Sequence, residues 1–480
     1  MLSLALIALA PLSSGSDDWP SWRGPLGNGV AAGNPPIEFG EDHNLRWKTP
    51  IPGKGLGVPV VWGDRVYVTT AIGTGKTKEL EAGEDGGRGP GGPPRGERPE
   101  RGDRGDRGDR PERGERGERG ERGERGGRGD GPPGGGRGMG GYGGPRSVEE
   151  QDFVVLALER ATGKIIWQKK VATAMPHQGK HDDGSFASPS PLFDGETLYA
   201  PFGSYGIYAL SRDGEVRWQQ DLGDMTIQNG FGEGSSPVLV GDVLILNWDH
   251  EGDSFLIGLD RRTGEERWRT PRPRGTNWSS PLVVHTEGKD VVVVAGSGTI
   301  GYDPVTGAEL WKNESAGGAI ASPIAIDELV VWCAGGGRRG GGQMRALVAL
   351  PEKAEAEEPL LWSIDASVSG IPSPLFYEGK LYFLKDNSGL LSVLDPVSGE
   401  IEYGPERLDA VQNVYASLVA ASGHLYVTGR DGTIEVLSTG DEIVTVAVNH
   451  LEDRFDASPA VAGDELFLRG HESLYCFANQ

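Results

Sequence analysis

Cysteine is almost absent from this 480-residue chain: Cys333 and Cys476 are the only two. Each sits inside an apolar run, Val330-Val331-Trp332-Cys333 and Leu474-Tyr475-Cys476-Phe477. A small hydrophobe is the default role there, so we expect two buried free thiols and no disulfide. The lack of a Cys-x-x-Cys-His motif removes c-type haem attachment. Positive charge is also short. With 47 Lys and Arg against 70 Asp and Glu the net charge is −23, which excludes a nucleic-acid binder, because such affinity comes from basic side chains neutralising phosphates. Beyond the first residues no stretch reaches the ~18 apolar residues of a membrane helix, and no segment sustains a 3.6-residue apolar period. A Gly-x-Ser-x-Gly elbow, a P-loop and a His-Glu-x-x-His pair are all missing.

Glycine (78) and proline (33) are plentiful, as in chains of short strands joined by tight turns. The start, Met1 to Ala10, is apolar and of signal-peptide length, and Ser13 to Ser16 supply small residues. We expect a signal peptide over 1–15, a lead-in segment over 16–43, and an exported protein, periplasmic or extracellular. No cysteine follows the apolar run to carry a lipid anchor.

The chain repeats itself. Ser/Val-Pro before a β-branched run recurs at Val58-Pro59, Ser190-Pro191, Ser236-Pro237, Ser280-Pro281, Ser322-Pro323, Ser373-Pro374 and Ser458-Pro459, with Ser417-Leu418 degenerate. From Ser190 on, the spacings are 46, 44, 42, 51, 44 and 41 residues. Each unit reads as four short strands punctuated by Gly/Asp turns. The last turn recurs as Thr162-Gly163, Asp213-Gly214, Thr263-Gly264, Thr306-Gly307 and Ser398-Gly399, and is followed by an aromatic: Trp167, Trp218, Trp268, Trp311, Trp362 and, more weakly, Tyr403. Such a residue fills the wedge that opens between neighbouring sheets. Asn44 to Lys48, with Trp47, reads as an outer strand lacking its inner three, whereas the unit ending at Phe477 lacks its outer strand. The expected fold is therefore all-β: one eight-bladed β-propeller over 44–480, four antiparallel strands per blade, its last blade closed by the N-terminal strand.

The repeat, with its tryptophan after a Thr-Gly turn, resembles the pyrroloquinoline-quinone (PQQ)-like propeller repeats of quinoprotein alcohol dehydrogenases and of the BamB lipoprotein. Trp19-Pro20-Ser21-Trp22-Arg23-Gly24-Pro25 is similar to the lead-in of secreted PQQ-like propellers of planctomycete-type bacteria. For a dehydrogenase the resemblance implies PQQ stacked on a tryptophan, a Ca²⁺ held by carboxylate and amide oxygens, a catalytic aspartate and two adjacent cysteines. Cys333 and Cys476 lie in different units, so the adjacent pair is missing. Trp248-Asp249 with Glu251 and Asp253 offers oxygen ligands.

Residues 80–150 interrupt the first unit. From Gly102 to Gly126 glycine falls at every third position except Pro111, but the run is poor in proline, and collagen tolerates no missing glycine. Fifteen Arg against thirteen acidic residues between 84 and 146 make it a near-neutral polyampholyte, expected to be disordered. Arg101-Gly102-Asp103 arises by repetition rather than as an adhesion motif. A second Gly/Arg loop, Gly335 to Gly342, occupies the equivalent place in the fifth unit.

Both loops leave on the side that carries the connections between units, and that side is the functional candidate. Those connections hold His177, Lys180, His181, Asp182 and Asp183, then Gln228, Asn229 and Glu233, then Asn277 and Trp278. His177 and His181 have i, i+4 spacing, but a Gly/Asp-rich loop lacks the helical registry of a metal pair. We expect a monomeric, non-catalytic scaffold binding a protein or an extracellular polymer, with no cofactor, no nucleic acid and no membrane span. The alternatives are a PQQ- and calcium-dependent oxidoreductase and a carbohydrate-binding propeller with Trp278 as its platform.

Overall fold

The computed structural model describes residues 17–80, 147–286, 288–296, 298–313, 320–334, 343–348, 360–365, 370–385, 387–439 and 442–480. By compactness the chain divides into Met1–Gly87 with Gly143–Gln480, and Arg88–Tyr142; every described residue belongs to the first unit. The expected signal peptide, the loop at Gly335 to Gly342 and most of the expected insertion lie outside the described residues. At the insertion's edges Arg65–Glu79 and Ser147–Glu159 pair antiparallel well beyond the length of other strands, so 147–150 are strand.

Eight sheets follow one another along the chain. The third shows the plan: Val238–Val240, Val243–Trp248, Phe255–Asp260 and Glu266–Pro271, each antiparallel to the next. Second and third strands are mostly apolar and bury consecutive residues rather than alternate ones, because both faces of each sheet are covered; Lys380–Lys385 is buried at Leu381, Tyr382, Phe383 and Leu384 in succession. Outer strands alternate instead, as in Leu45–Pro50, where Trp47 faces in. Among the described residues the only helical segments are two short turns, Gly203–Tyr205 and Gln228–Gly230. No helix there is long and apolar enough to cross a membrane.

The expectation of one closed eight-bladed propeller with four antiparallel strands per blade is corrected on two points. No sheet closes or curls: each is an open ladder, and no ladder runs on into the next sheet. The reason is that each four- or five-stranded sheet has both faces already covered, so it gains nothing by closing on itself. Further, the seventh sheet has five strands, because Val30–Ala31 pairs in parallel with Val419–Ala421 at its free edge. Leu45–Pro50 supplies the outer strand of the eighth sheet, antiparallel to Ser473–Ala478. The architecture is propeller-like and all-β.

Two devices join neighbouring sheets. The serine of each Ser-Pro repeat accepts a hydrogen bond from the backbone N–H at the matching position of the preceding sheet: Val58 to Ser190 (3.0 Å), Ser190 to Ser236 (2.9 Å), Ser236 to Ser280 (2.9 Å), and so on to Ser417 and Ser458 (2.9 Å). A hydroxyl is small enough for this place, and the proline that follows needs no donor of its own. The second device is the outer-strand tryptophan. Its indole N–H donates to a carbonyl in the next sheet's last turn: Trp47 to Arg160, Trp167 to Arg212, Trp218 to Arg261, Trp268 to Pro304 and Trp362 to Pro396. The turn glycine, at φ +70° to +85° in Gly163, Gly214, Gly264, Gly307 and Gly399, lies against that ring. Across its own sheet each tryptophan faces a small residue: Ala157, Ala209, Gly258, Gly301, Ala346 or Cys476. Where the tryptophan is replaced, by Tyr403 or Ala447, the facing residue is Val393 or Val436. Cys476 is thus a space-saving residue beside Trp47, and burial pushes its thiol up to about 12.

Candidate functional site

The repeat position and the residue two before it both reach one space: all eight such pairs line a cavity of about 410 Å³. One tier is Val58, Ser190, Ser236, Ser280, Ser322, Ser373, Ser417 and Ser458. The other is Leu56, Ser188, Gly234, Trp278, Ile320, Ile371, Tyr415 and Asp456. The second tier is lopsided. Trp278, Ile320 and Ile371 form an apolar flank, and Ile320 is 45% exposed because it faces this space. Tyr415 and Asp456 form a polar one.

The lead-in segment contributes to the walls. Trp22 lines the cavity, while its neighbours are tied to separate sheets: Trp19 bridges Val61, Pro20 O accepts from Phe193 N (2.8 Å), and Arg23 Nη2 donates to Pro374 O (2.8 Å). Burial brings the Arg23 guanidinium down to about 9.

On the polar flank Asp183 accepts from Arg454 Nη2 (2.6 Å) and Tyr415 Oη (3.3 Å), and pairs with Arg430 Nη2 (2.9 Å). Asp456, nearly buried, accepts from Arg430 Nε (2.5 Å) and faces His471 Nε2 (2.8 Å). The Arg430 guanidinium lies 3.5 Å from the centre of the Tyr415 ring, at cation–π distance. The bonds to Arg454 and Tyr415, opposing the cost of burial, hold Asp183 below the usual carboxylate range.

Glu233 stands apart from these pairs. It lines the cavity beside Trp278, and its carboxylate accepts from Ser204 N (2.8 Å) and Oγ (2.5 Å) without a basic side chain in hydrogen-bond reach among the described residues. Burial pushes its carboxyl up to about 7. A carboxyl so raised favours the folded state while protonated, so its contribution is full below about pH 4.3 and is lost as pH rises through 7. Glu233→Gln should abolish that slope. In urea titrations the difference in stability between variant and parent should change by on the order of 2 kcal/mol between pH 4.5 and 8, in the sense that the variant gains at high pH; a constant difference would count against the raised carboxyl.

Of the other expected site residues, His181 lines the cavity and meets Phe231 edge-on (centroids 5.2 Å apart). Trp278 donates its indole N–H to Gly232 O (2.7 Å). Lys180 lies half-buried near the Phe186 ring (5.9 Å), and exposed Asp182 accepts at its carbonyl from Lys54 Nζ (3.0 Å). His177 does not join His181: its Nε2 sits 2.9 Å from Met225 O, outside the cavity. Gln228 and Asn229 form a turn away from it, and Asn277 is buried, donating to Asp249 (3.2 Å). Ser190 to Ser458, Trp22, Tyr415, Arg430, Arg454, Asp456 and His471 were not among the expected residues. The register of the repeat carries the signal for Tyr415 and Asp456, which stand two places before Ser417 and Ser458.

The oxygen ligands that the dehydrogenase alternative would offer to calcium do not converge. Asp249 is held by Arg272 through two bonds (2.8 and 2.9 Å), Glu251 accepts from Thr276 N and Oγ1, and Asp253 accepts from Arg274. Trp248 is buried against Phe255. No group of three or more His, Cys, Asp or Glu able to hold a metal ion occurs among the described residues.

A family model described as outer membrane protein assembly factor BamB matches residues 121–334 and 252–402. No curated protein sequence gives a match. Among solved structures, the quinohemoprotein alcohol dehydrogenase of Comamonas testosteroni is similar at 11% identity and a TM-score of 0.57, over 96% of this chain and 80% of that one. BamB of Moraxella catarrhalis aligns at 13% identity and a TM-score of 0.47, over 68% and 93%. The computationally designed Ika8 protein aligns at 12% identity and a TM-score of 0.49, over 69% and 93%. At such identities the likeness is one of fold.

Proposed function

Because the chain belongs to the BamB/PQQ-like propeller family, whose model spans more than half of it, we propose that it is an exported binding protein that seats a small molecule, or the end of an extracellular polymer, in the cavity shared by its eight sheets. The observation that carries this is the lining: of eight structurally equivalent positions seven are serines used for packing and the eighth is Val58, while the tier two residues away varies freely in chemistry. A volume of about 410 Å³ lies near the small end of ligand pockets, roughly 300–1,000 Å³, and suits one compact group rather than a flat protein face. Export is supported by the apolar start of the sequence and by kinship with an outer-membrane assembly factor. The long arm of the first sheet begins where Lys54, two residues before Leu56 of the cavity lining, exchanges backbone hydrogen bonds with Ala71 (2.9 and 3.0 Å).

The test is to fill the cavity. Gly234 has ordinary backbone geometry, and an added side chain would first meet Trp278 at 3.4 Å. Gly234→Phe should leave the thermal transition in place and abolish the tryptophan-fluorescence response to mono- and disaccharides and short peptides. A ligand bound equally well by parent and variant would place binding elsewhere.

A second reading, an oxidoreductase, is favoured by Glu233, since a carboxyl titrating near neutrality in a partly apolar cavity is suited to general acid–base work. The residues expected to hold calcium do not fit that role, so no step through PQQ and calcium is derived. Titration with PQQ and Ca²⁺ separates the readings: a stoichiometric bound chromophore with dye-linked alcohol oxidation supports the enzyme, and its absence supports the binding protein.

A further inference from the structure

We propose that Lys54, Lys180 and Arg454, at the polar rim of the cavity, form an oxyanion subsite, so that the ligand carries one carboxylate, sulfate or phosphate group on an otherwise uncharged and partly apolar body. This rests on the cavity being the binding site. At this edge Arg430 and Arg454 hold two buried or half-buried carboxylates, Asp183 and Asp456, and Lys54 and Lys180 stand within electrostatic reach of them. Both carboxylates are taken by the arginines. Among the described residues neither lysine has a carboxylate within ion-pair distance: the Lys54 ammonium donates to a backbone carbonyl, that of Asp182, and Lys180 has an aromatic face. The exposed Asp182 carboxylate and the imidazoles of His181 and His471 are the other titratable groups nearby.

Two ammonium groups outside ion-pair distance of any carboxylate among the described residues, on a chain of net charge −23, are an arrangement for a partner rather than for the fold. Burial and mutual repulsion hold the Lys54 ammonium below its usual range, and burial does the same to Lys180. An incoming oxyanion relieves both. Arg454 Nε makes no hydrogen bond among the described residues and lies 3.6 Å from Asp456 Oδ2, so the guanidinium completes the positive edge. The rim is joined to the cavity through Asp183 and Gly232, both of which line it; a Cβ on Gly232 would lie 3.2 Å from Lys180 Cβ. The apolar flank of Trp278, Ile320 and Ile371 then receives the uncharged part of the ligand.

The probes are benzoate, phenyl sulfate and phenyl phosphate, with benzyl alcohol as the neutral control, titrated calorimetrically into the full chain at low ionic strength. At least one anion should bind about tenfold tighter than the alcohol, with an advantage that shrinks as salt is added; which one identifies the oxyanion. Lys54→Met and Lys180→Met keep the buried stems and should each remove most of that advantage while leaving the alcohol's affinity and the thermal transition unchanged. Carbon-13 spectra of the dimethylated lysines give an independent reading: two resonances should titrate below the rest and move up when the anion binds. Anions no tighter than the alcohol, or a preference that survives both substitutions, would overturn the subsite alone. Failure of all four probes to bind, alcohol included, would overturn the subsite together with the cavity reading.

Discussion

Trp268→Ala should lower the stability of the chain by about 3–5 kcal/mol, the range for removing a large buried aromatic, read as a shift of the urea midpoint at constant slope. The indole packs against apolar side chains of the third and fourth sheets, among them Val243, Leu256, Val292 and Ile300, and its N–H holds Pro304 O of the fourth sheet at 3.1 Å. Its ring also occupies the space that two glycines leave open. A Cβ on Gly258, across the same sheet, would come within 2.3 Å of it, and one on Gly307, in the next sheet's turn, within 2.4 Å. Gly258→Val alone should therefore be about as damaging as Trp268→Ala, through overpacking instead of a void. The double variant reproduces the pairing found naturally in the seventh sheet, where Val436 faces Ala447. Its loss should fall short of the sum of the single losses by about 1–2 kcal/mol, as expected for residues in direct contact. Strict additivity would show that the facing pair does not share one space.

That pairing was legible in the sequence in principle. Once the Thr-Gly turn sets the register of the last hairpin, Gly258 and Trp268 must face each other, and the same alignment gives Cys476 its partner Trp47. The eight units, their strand order and the outer tryptophans follow from local pattern in the same way, because each strand is short and its turns are marked by glycine. The cavity did not follow so easily. The serine hydroxyls bond to N–H groups 41 to 51 residues earlier in the chain, and 132 earlier for Ser190, a relation no local pattern reveals. The ion cluster unites Asp183 with Arg454 across 271 positions. His177 and His181, although only four apart in a loop, face different partners: one ring turns to Met225 O and the other to Phe231. Closeness in sequence is informative inside the hairpins and carries little between them.

Asp249 provides the sharpest case, because its sequence context suggested a cation ligand and its surroundings supply an arginine. The two side chains are 1% and 2% exposed for Arg272 and Asp249, joined by bonds of 2.8 and 2.9 Å, and Arg272 Nη1 reaches Tyr302 Oη of the fourth sheet at 2.6 Å. Burial pushes the Tyr302 hydroxyl up to about 12, so it stays a neutral partner. Arg272→Met removes the only cation bonded to Asp249 among the described residues and leaves its carboxylate buried with Asn277 as donor. Such a change should cost about 3–5 kcal/mol. Asp249→Leu combined with Arg272→Met should recover most of the loss, because two apolar groups of similar bulk leave nothing unpaired. If Asp249 served a cation instead, millimolar calcium would rescue Arg272→Met selectively and leave the double variant unchanged. Denaturant midpoints of the three proteins, measured with calcium and with chelator, decide between a structural ion pair and a metal ligand at this position.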